Sequence, residues 1–405
     1  MTPSTLSNRQ VWSAVLAMSL CAFALVASEF LPVSLLTPIA HELFLSDGQA
    51  GQAISVSGFL AVVTSLSVSN LTRRLDRKKV LLTLTALMVA SGVLVSIAPS
   101  YAVLMLGRAL LGVSIGGCWS MNTAVIMRIA PQSFVPRAIA IVQGGTALAT
   151  AVAAPAGSFL GSIVGWRGAF FCVVPLAALA LVWQAWTLPK LPPARETGAK
   201  GGVLRLLGDP RVRCGVSAVA LLFMGQFSLF TYLRPYLENV TRANVSVLSL
   251  ILLVIGVAGL AGTILVGKLL SKGVHRVLVG IPLLMSGIAL ALIVSGSSVA
   301  TTAVLLGAWG LIATSAPVGW FTWLSETLPG DAEAGGGLMV AVIQLAITLG
   351  ATLGGVLFDG SGYRATFGLS AALLVCGAMM AAVTSRTNRA AVDRESSRAA
   401  RASNV

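Results

Sequence analysis

The sequence predicts an all-α polytopic membrane protein whose twelve transmembrane helices form two pseudo-symmetric six-helix bundles. Of its 405 residues, 56% are hydrophobic and only 10% charged, against about 25% charged in an ordinary soluble domain. That leaves too few polar side chains to cover a soluble core of this size. Apolar runs of about 20 residues, long enough to cross a bilayer as helices, recur along nearly the whole chain. They do not alternate as barrel strands do, and an open sheet cannot satisfy its backbone in lipid.

The first six spans are expected at residues 11–37, 48–70, 80–98, 102–127, 138–163 and 168–188. Residues 189–212, "PKLPPARETGAKGGVLRLLGDPRV", then break the apolar pattern with Pro, Gly and basic residues, which marks a linker. Six more spans follow at 213–236, 246–267, 277–295, 300–323, 335–357 and 365–385. The sequence thus divides into bundles at 1–188 and 213–385, with a polar, basic tail at 386–405 expected to be disordered. The halves echo each other. "GSFLGSIVGWR" at 157–167 aligns without gaps to "GGVLFDGSGYR" at 354–364, and the basic turn after span two pairs with "GKLLSKGVHR" after span eight. Repeats of a six-helix unit are how many secondary transporters are built, with substrate bound between the halves near the midplane.

The net charge of +14 is placed by topology. With a cytoplasmic N-terminus, the even-numbered turns, the linker and both tails carry 22 of the 27 basic residues. The opposite face keeps Arg167, Arg234, Arg242 and Arg364, and Arg108 lies inside a span. This bias places both termini in the cytoplasm and assigns the basic patches to lipid headgroups rather than nucleic acid. Cys21, Cys118, Cys172, Cys214 and Cys376 fall in or beside helices with no CxxC spacing, so neither a disulfide framework nor a metal site is expected. The N-terminus loosely resembles a secretory signal, but eleven further spans favour a retained first helix.

Glu29, in "ASEFLPVSLL", is the only one of thirteen acidic residues deep in a span. An ionised group at mid-bilayer costs about 2.5–3.5 kcal/mol, so it is expected to face a cavity or a partner, where a carboxyl can take and release a proton. Arg108 on span four lies at similar depth, about 9 Å from the outer helix end against about 12 Å for Glu29. An ion pair between them, broken on protonation, would link proton occupancy to helix arrangement; a permanent structural pair is the plainer alternative. Pro32, one turn beyond Glu29, removes a backbone donor and can loosen the helix beside the acid.

Gly112, Gly116 and Gly117 leave a flat face on span four for close helix approach. The same letters spell G-x-S-x-G, but the two histidines, His41 and His275, lie in loops and cannot serve Ser114 as a base, so no enzyme is expected. "HELFL" lacks the second His of a metal motif. Amides lie inside spans at Gln143, Gln226 and Gln344, with Asn122 close after Trp119 on span four and Trp309, Trp320 and Trp323 on span ten. A buried amide lining a cavity meets a ligand with both donor and acceptor, and neighbouring aromatics suit a flat polar ring. Singly, each aromatic also fits helix packing or interface anchoring.

These motifs carry a resemblance. From about residue 9 to 385 the chain resembles the major facilitator superfamily, in its drug:proton antiporter branch, and most of all the bacterial purine ribonucleoside efflux pumps, relatives of the sugar and arabinose exporters. The carrying residues are "EFLPVSLLTP" at 29–38, "GRALLG" at 107–112 followed by "GGCWSMN", "APAGSFLG" and "GWR" within 154–167, "GQFSLFTYLRP" at 225–235, "PVGWFTW" at 317–323 and "AVIQLA" at 341–346.

The resemblance implies the major facilitator fold, alternating access and proton-driven export of nucleosides such as inosine and guanosine across the bacterial inner membrane. It implies no cofactor beyond the proton gradient, and a chain working as a monomer. Arg108 matches the superfamily's span-four arginine, and Pro155 its span-five exporter signature, with Ala154 in place of glycine. After span two, Ser69 and Arg73 stand where the pattern has glycine and aspartate, and Asp76 is displaced. Substrate is expected against Gln226, Gln344, Phe230, Asn122, Trp119 and Trp320 while Glu29 exchanges protons. Sugar or multidrug export is the alternative, and a transporter-like ligand sensor the more distant one.

Overall fold

The computed structural model describes residues 7–193, 203–270, 273–328 and 332–403, and among these every regular element is helical. The helices run in the order α1 (Asn8–Glu42), α2 (Asp47–Leu71), α3 (Arg77–Ser96), α4 (Tyr101–Ile129), α5 (Val135–Phe171) and α6 (Val174–Thr187). A 3-10 turn at Val203–Gly208 precedes α7 (Pro210–Phe230), α8 (Leu233–Asn239), α9 (Val245–Leu270), α10 (Val274–Ser295), α11 (Val299–Ala313), α12 (Ser315–Thr327) and α13 (Ala332–Ser403).

Ten stretches are long and apolar enough to cross a membrane, but two of them, of 51 and 54 residues, are too long for one crossing. At about 1.5 Å per residue each would exceed twice the hydrocarbon thickness. Each is reversed at a glycine: Gly165 has φ 73 and ψ 168, Gly362 has φ 75 and ψ −177. This backbone region is open essentially to glycine alone. The two residues are equivalent members of the Gly-aromatic-Arg repeat, so the sequence echo is an echo of backbone geometry, and the crossings among the described residues number twelve.

Spans seven and ten, expected to be continuous, are interrupted at Thr231–Tyr232 and at Thr314. Proline explains both. Pro235 and Pro317 carry no N–H for the carbonyls four residues back, Thr231 and Ala313, and the helix restarts just before each ring. The same rule parts α5 from α6 ahead of Pro175. The last helix continues to Ser403, where a disordered tail was expected; Ala and Arg dominate that stretch and favour helix by local propensity without an apolar run in the sequence. Of the linker, residues 194–202 lie outside the described residues.

Close approaches follow the repeat. A Cβ at Gly112 would collide with the Ser57 carbonyl and one at Gly116 with that of Ala61, which brings α4 onto α2; Gly310 and Gly262 do the same for α11 and α9. Gly145, Gly157 and Gly161 seat α5 on α1, as Gly350 and Gly354 seat α13 on α7. Between the halves α2 packs on α13 and α5 on α9. Large apolar side chains such as Phe59, Phe159, Ile264 and Val304 point outward, as lipid-facing positions require.

Asp76 caps α3: its carboxylate accepts from Lys78 N at 2.8 Å and from Leu191 N at 3.1 Å, which clasps the start of the linker. At the opposite end, Trp166 Nε1 donates to Glu42 at 2.6 Å and Arg167 pairs with Glu42 while stacking 4.2 Å over the Trp166 ring. Those bonds fix the α5 reversal against the end of α1.

Candidate functional site

Glu29 is 5% exposed at the middle of α1 and Arg108 is 1% exposed on α4. The expected ion pair does not form among the described residues. Arg108 Nη1 donates to the Ser28 carbonyl at 2.7 Å, Nη2 to the Glu29 backbone carbonyl at 3.2 Å and to Ser57 Oγ at 3.0 Å, and Nε to the Ala53 carbonyl at 2.9 Å. The reason lies in Pro32. An α-helical carbonyl at 28 expects its donor from residue 32, and proline has none. The free acceptor takes the guanidinium, whose remaining N–H groups then fall on α1 and α2 rather than on the carboxylate.

The Glu29 carboxylate instead faces the other half. Gln344, 5% exposed on α13, donates from Nε2 to Glu29 Oε1 at 3.1 Å. Gln344 Oε1 is buried without a partner, and so is Gln226 Oε1 on α7. Buried amide oxygens seldom stay unpaired, because each costs about 1–3 kcal/mol. Beside them runs an aromatic series: Phe30 stacks on Phe227 at 5.9 Å, and Phe227 meets Phe230 edge-on at 5.9 Å. The arrangement offers a titratable acid, two amide oxygens and ring faces at the seam between the halves.

Trp119 is half-buried and packs against the Val26, Ala27, Ala149 and Ala153 cluster, a turn from Glu29 along α1. Asn122, three residues on and half-buried, shares that helix face. Trp320 is 1% exposed within the core of the second half, edge-on to Trp323 at 5.4 Å, with its indole N–H unpartnered. Gln143 is exposed near the start of α5. Ser114 donates to the Leu84 carbonyl at 2.8 Å and joins α4 to α3. Pro155 leaves the Ala151 carbonyl without its helical donor, and that carbonyl abuts Gly256 of α9 so closely that a Cβ there would collide with it.

Sequence reasoning missed the hydrogen bonds that join the halves from this level outward. Ser55 Oγ donates to the Thr348 carbonyl at 3.3 Å and accepts from Thr352 Oγ1 at 2.9 Å, and Ser249 and Ser158 bond at 2.8 Å. Asp359 accepts from Ser46 Oγ and from Gly48 N at 2.9 Å. Arg234 donates to the Ser34 carbonyl. Hydroxyls and loop-end acids of this kind carry no distinguishing pattern in one sequence.

The profile of the Major Facilitator Superfamily matches residues 18–336. The chain is 56% identical over 379 residues to a protein of Pseudomonas aeruginosa named transcription regulatory protein OpdE, covering 93% of this chain and 94% of that one. It is 40% identical over 378 residues to the purine ribonucleoside efflux pump NepI of Salmonella paratyphi B, covering 93% and 95%. Among solved structures, a bacterial homologue of the human lysosomal transporter Spinster, in an inward-facing and unoccupied conformation, superposes with a TM-score of 0.74 at 18% identity, over 94% of this chain and 98% of that one. Fold, repeat and relatives agree: the chain belongs to the Major Facilitator Superfamily, a multi-pass membrane transporter family.

Proposed function

We propose that this transporter is a proton-coupled antiporter that exports purine ribonucleosides such as inosine and guanosine from the cytoplasm, with both termini cytoplasmic. The observation that carries this reading is the Gln344–Glu29 hydrogen bond across the halves. Protonated Glu29 can hold both ends of the Gln344 amide, accepting from Nε2 and donating its O–H to Oε1, and so keeps it from a guest. Ionisation removes that O–H donor and leaves Gln344 Oε1 to the substrate. Gln344 and Gln226 then pair with the hydrogen-bonding edge of a purine while Phe230 offers it a ring face. Trp119, Asn122 and Trp320 complete the enclosure. Release of the proton on the cytoplasmic side opens the site to substrate and proton uptake on the outer side displaces it, so the proton gradient drives export without a bound cofactor. The nucleoside assignment draws on the 40% identity to NepI.

The test is a competition panel of inosine, guanosine, adenosine, arabinose and a cationic dye against proton-driven uptake in everted vesicles. Displacement by the purine nucleosides supports the reading. Displacement by arabinose alone, or by the dye alone, replaces it with sugar or multidrug export. A second reading, a membrane sensor that binds ligand without moving it, is favoured by the name of the 56% relative. Saturable nucleoside binding with no countertransport would select it.

A further inference from the structure

We infer that Arg234 is a positioning residue for alternating access: it latches the two halves at the end carrying the α1–α2 turn, by seizing a carbonyl that Pro38 leaves free. The inference rests on the transporter reading above but not on the identity of the substrate.

α1 contains two prolines, Pro32 and Pro38. Each deprives the carbonyl four residues earlier of its helical donor, so α1 presents open acceptors at Ser28 and Ser34. A buried arginine takes each one. Arg108, from the same half, takes Ser28. Arg234, 6% exposed on α8 of the opposite half, donates from Nη1 to Ser34. The chemistry is shared; only the second bond crosses the seam that must part.

The charge balance around Arg234 makes that bond breakable. Its Nε donates to Glu238 at 2.8 Å, one turn along the same helix. The guanidinium is therefore neutralised within its own half, and parting strands no unpaired charge at the seam. What opening removes is one charge-assisted hydrogen bond to a neutral carbonyl. A cleft of about 390 Å³, lined by Thr37, Pro38, His41, Arg234 and Glu238 among others, lies at the same place and lets water replace the lost partner.

The surroundings show that this end is closed. Tyr232 OH donates to the Ala351 carbonyl at 2.7 Å, and its ring sits where a Cβ on Gly51 of α2 would fall. Asp359 holds the first turn of α2. Among the described residues Arg234 is the one cation hydrogen-bonded across the seam at this end, and Pro38 leaves its acceptor without a helical donor.

The test reads opening directly. Ser55, 4% exposed between α2 and α13, is replaced by cysteine as a reporter, and maleimide labelling is followed site by site by mass spectrometry on purified protein in nanodiscs. Cys21 and Cys118, buried in the core of the first half, serve as internal controls. Both Arg234→Ala and Pro38→Ala should speed labelling at position 55 by about tenfold while Cys21 and Cys118 stay protected. Pro38→Ala restores an N–H that claims Ser34 within α1 and leaves Arg234 and Glu238 untouched, so it tests the latch even where Arg234→Ala folds poorly. Unchanged labelling in Pro38→Ala overturns the inference, and so does parallel labelling of Cys21 and Cys118, which reports general loosening. Faster labelling with no nucleoside transport in vesicles leaves the latch standing and removes the nucleoside assignment alone.

Discussion

Arg108 Nη1 lies 2.7 Å from the Ser28 carbonyl, the acceptor that Pro32 leaves without a helical donor. Glu29 therefore sits on a turn of α1 pinned from behind by a buried cation, and its carboxylate is turned towards Gln344. Arg108→Ala should be costly, because it removes four buried hydrogen bonds and leaves the Ser28 carbonyl, which has no helical donor, unpaired inside the bundle. The expected loss is about 3 kcal/mol or more, read as a lowered melting temperature in detergent. Arg108→Lys should not restore it, since a point-like ammonium cannot reach both sides of a planar fork. Full stability in Arg108→Lys would show that charge alone matters at this position.

Glu29→Gln preserves the shape and the Gln344 contact, because a glutamine carbonyl accepts the same N–H, but it removes the titrating group. Substrate exchange between two nucleoside pools should survive at weakened affinity, because glutamine imitates the protonated acid, while accumulation driven by a proton gradient should fall to the level set by exchange alone. The paired assays are radiolabelled inosine counterflow and gradient-driven uptake in the same vesicles. Gradient-driven uptake at the wild-type rate would move the proton carrier elsewhere.

Gln344→Ala and Gln226→Ala each delete a buried amide oxygen that has no protein partner. If those oxygens meet the substrate, each substitution should weaken nucleoside binding by about 1–3 kcal/mol, a roughly five- to hundredfold rise in Kd. Calorimetric titration with inosine checks it. Gln344→Ala should also release Glu29 from its cross-half donor and alter the proton dependence of transport, whereas Gln226→Ala should leave that dependence unchanged.

What could be read from the sequence, and what could not, separates along physical lines. Span length and the Gly-aromatic-Arg echo are local properties; they led to twelve crossings and marked the two span ends where the backbone reverses at Gly165 and Gly362, though not the reversal itself. Glu29 stood out because a lone acid at membrane depth is rare. Its partner was misassigned, because charge complementarity suggested Arg108 while the arginine's fork was claimed by carbonyls that Pro32 and the approach of α2 supply. Pro38 and Arg234 were both visible as letters. Their meeting depends on the packing of α1 against α8, a long-range fact that no spacing rule contains.

The reversing glycines give a prediction that separates backbone strain from packing. An added Cβ meets nothing within 4 Å at Gly165, at Gly362 or at Gly360, so none of the three positions is crowded. Gly165 and Gly362 hold φ of 73 and 75, whereas Gly360 lies in the same helical stretch with no positive φ. Gly165→Ala and Gly362→Ala should each cost about 1–3 kcal/mol from backbone strain alone. Gly360→Ala should be neutral or stabilising by up to about 1 kcal/mol, because alanine is the better helix former. Thermal melting of the three variants in one detergent decides the matter. Equal melting temperatures would mean that the reversals tolerate ordinary residues, and the repeat would then owe its glycines to something other than the turn they make.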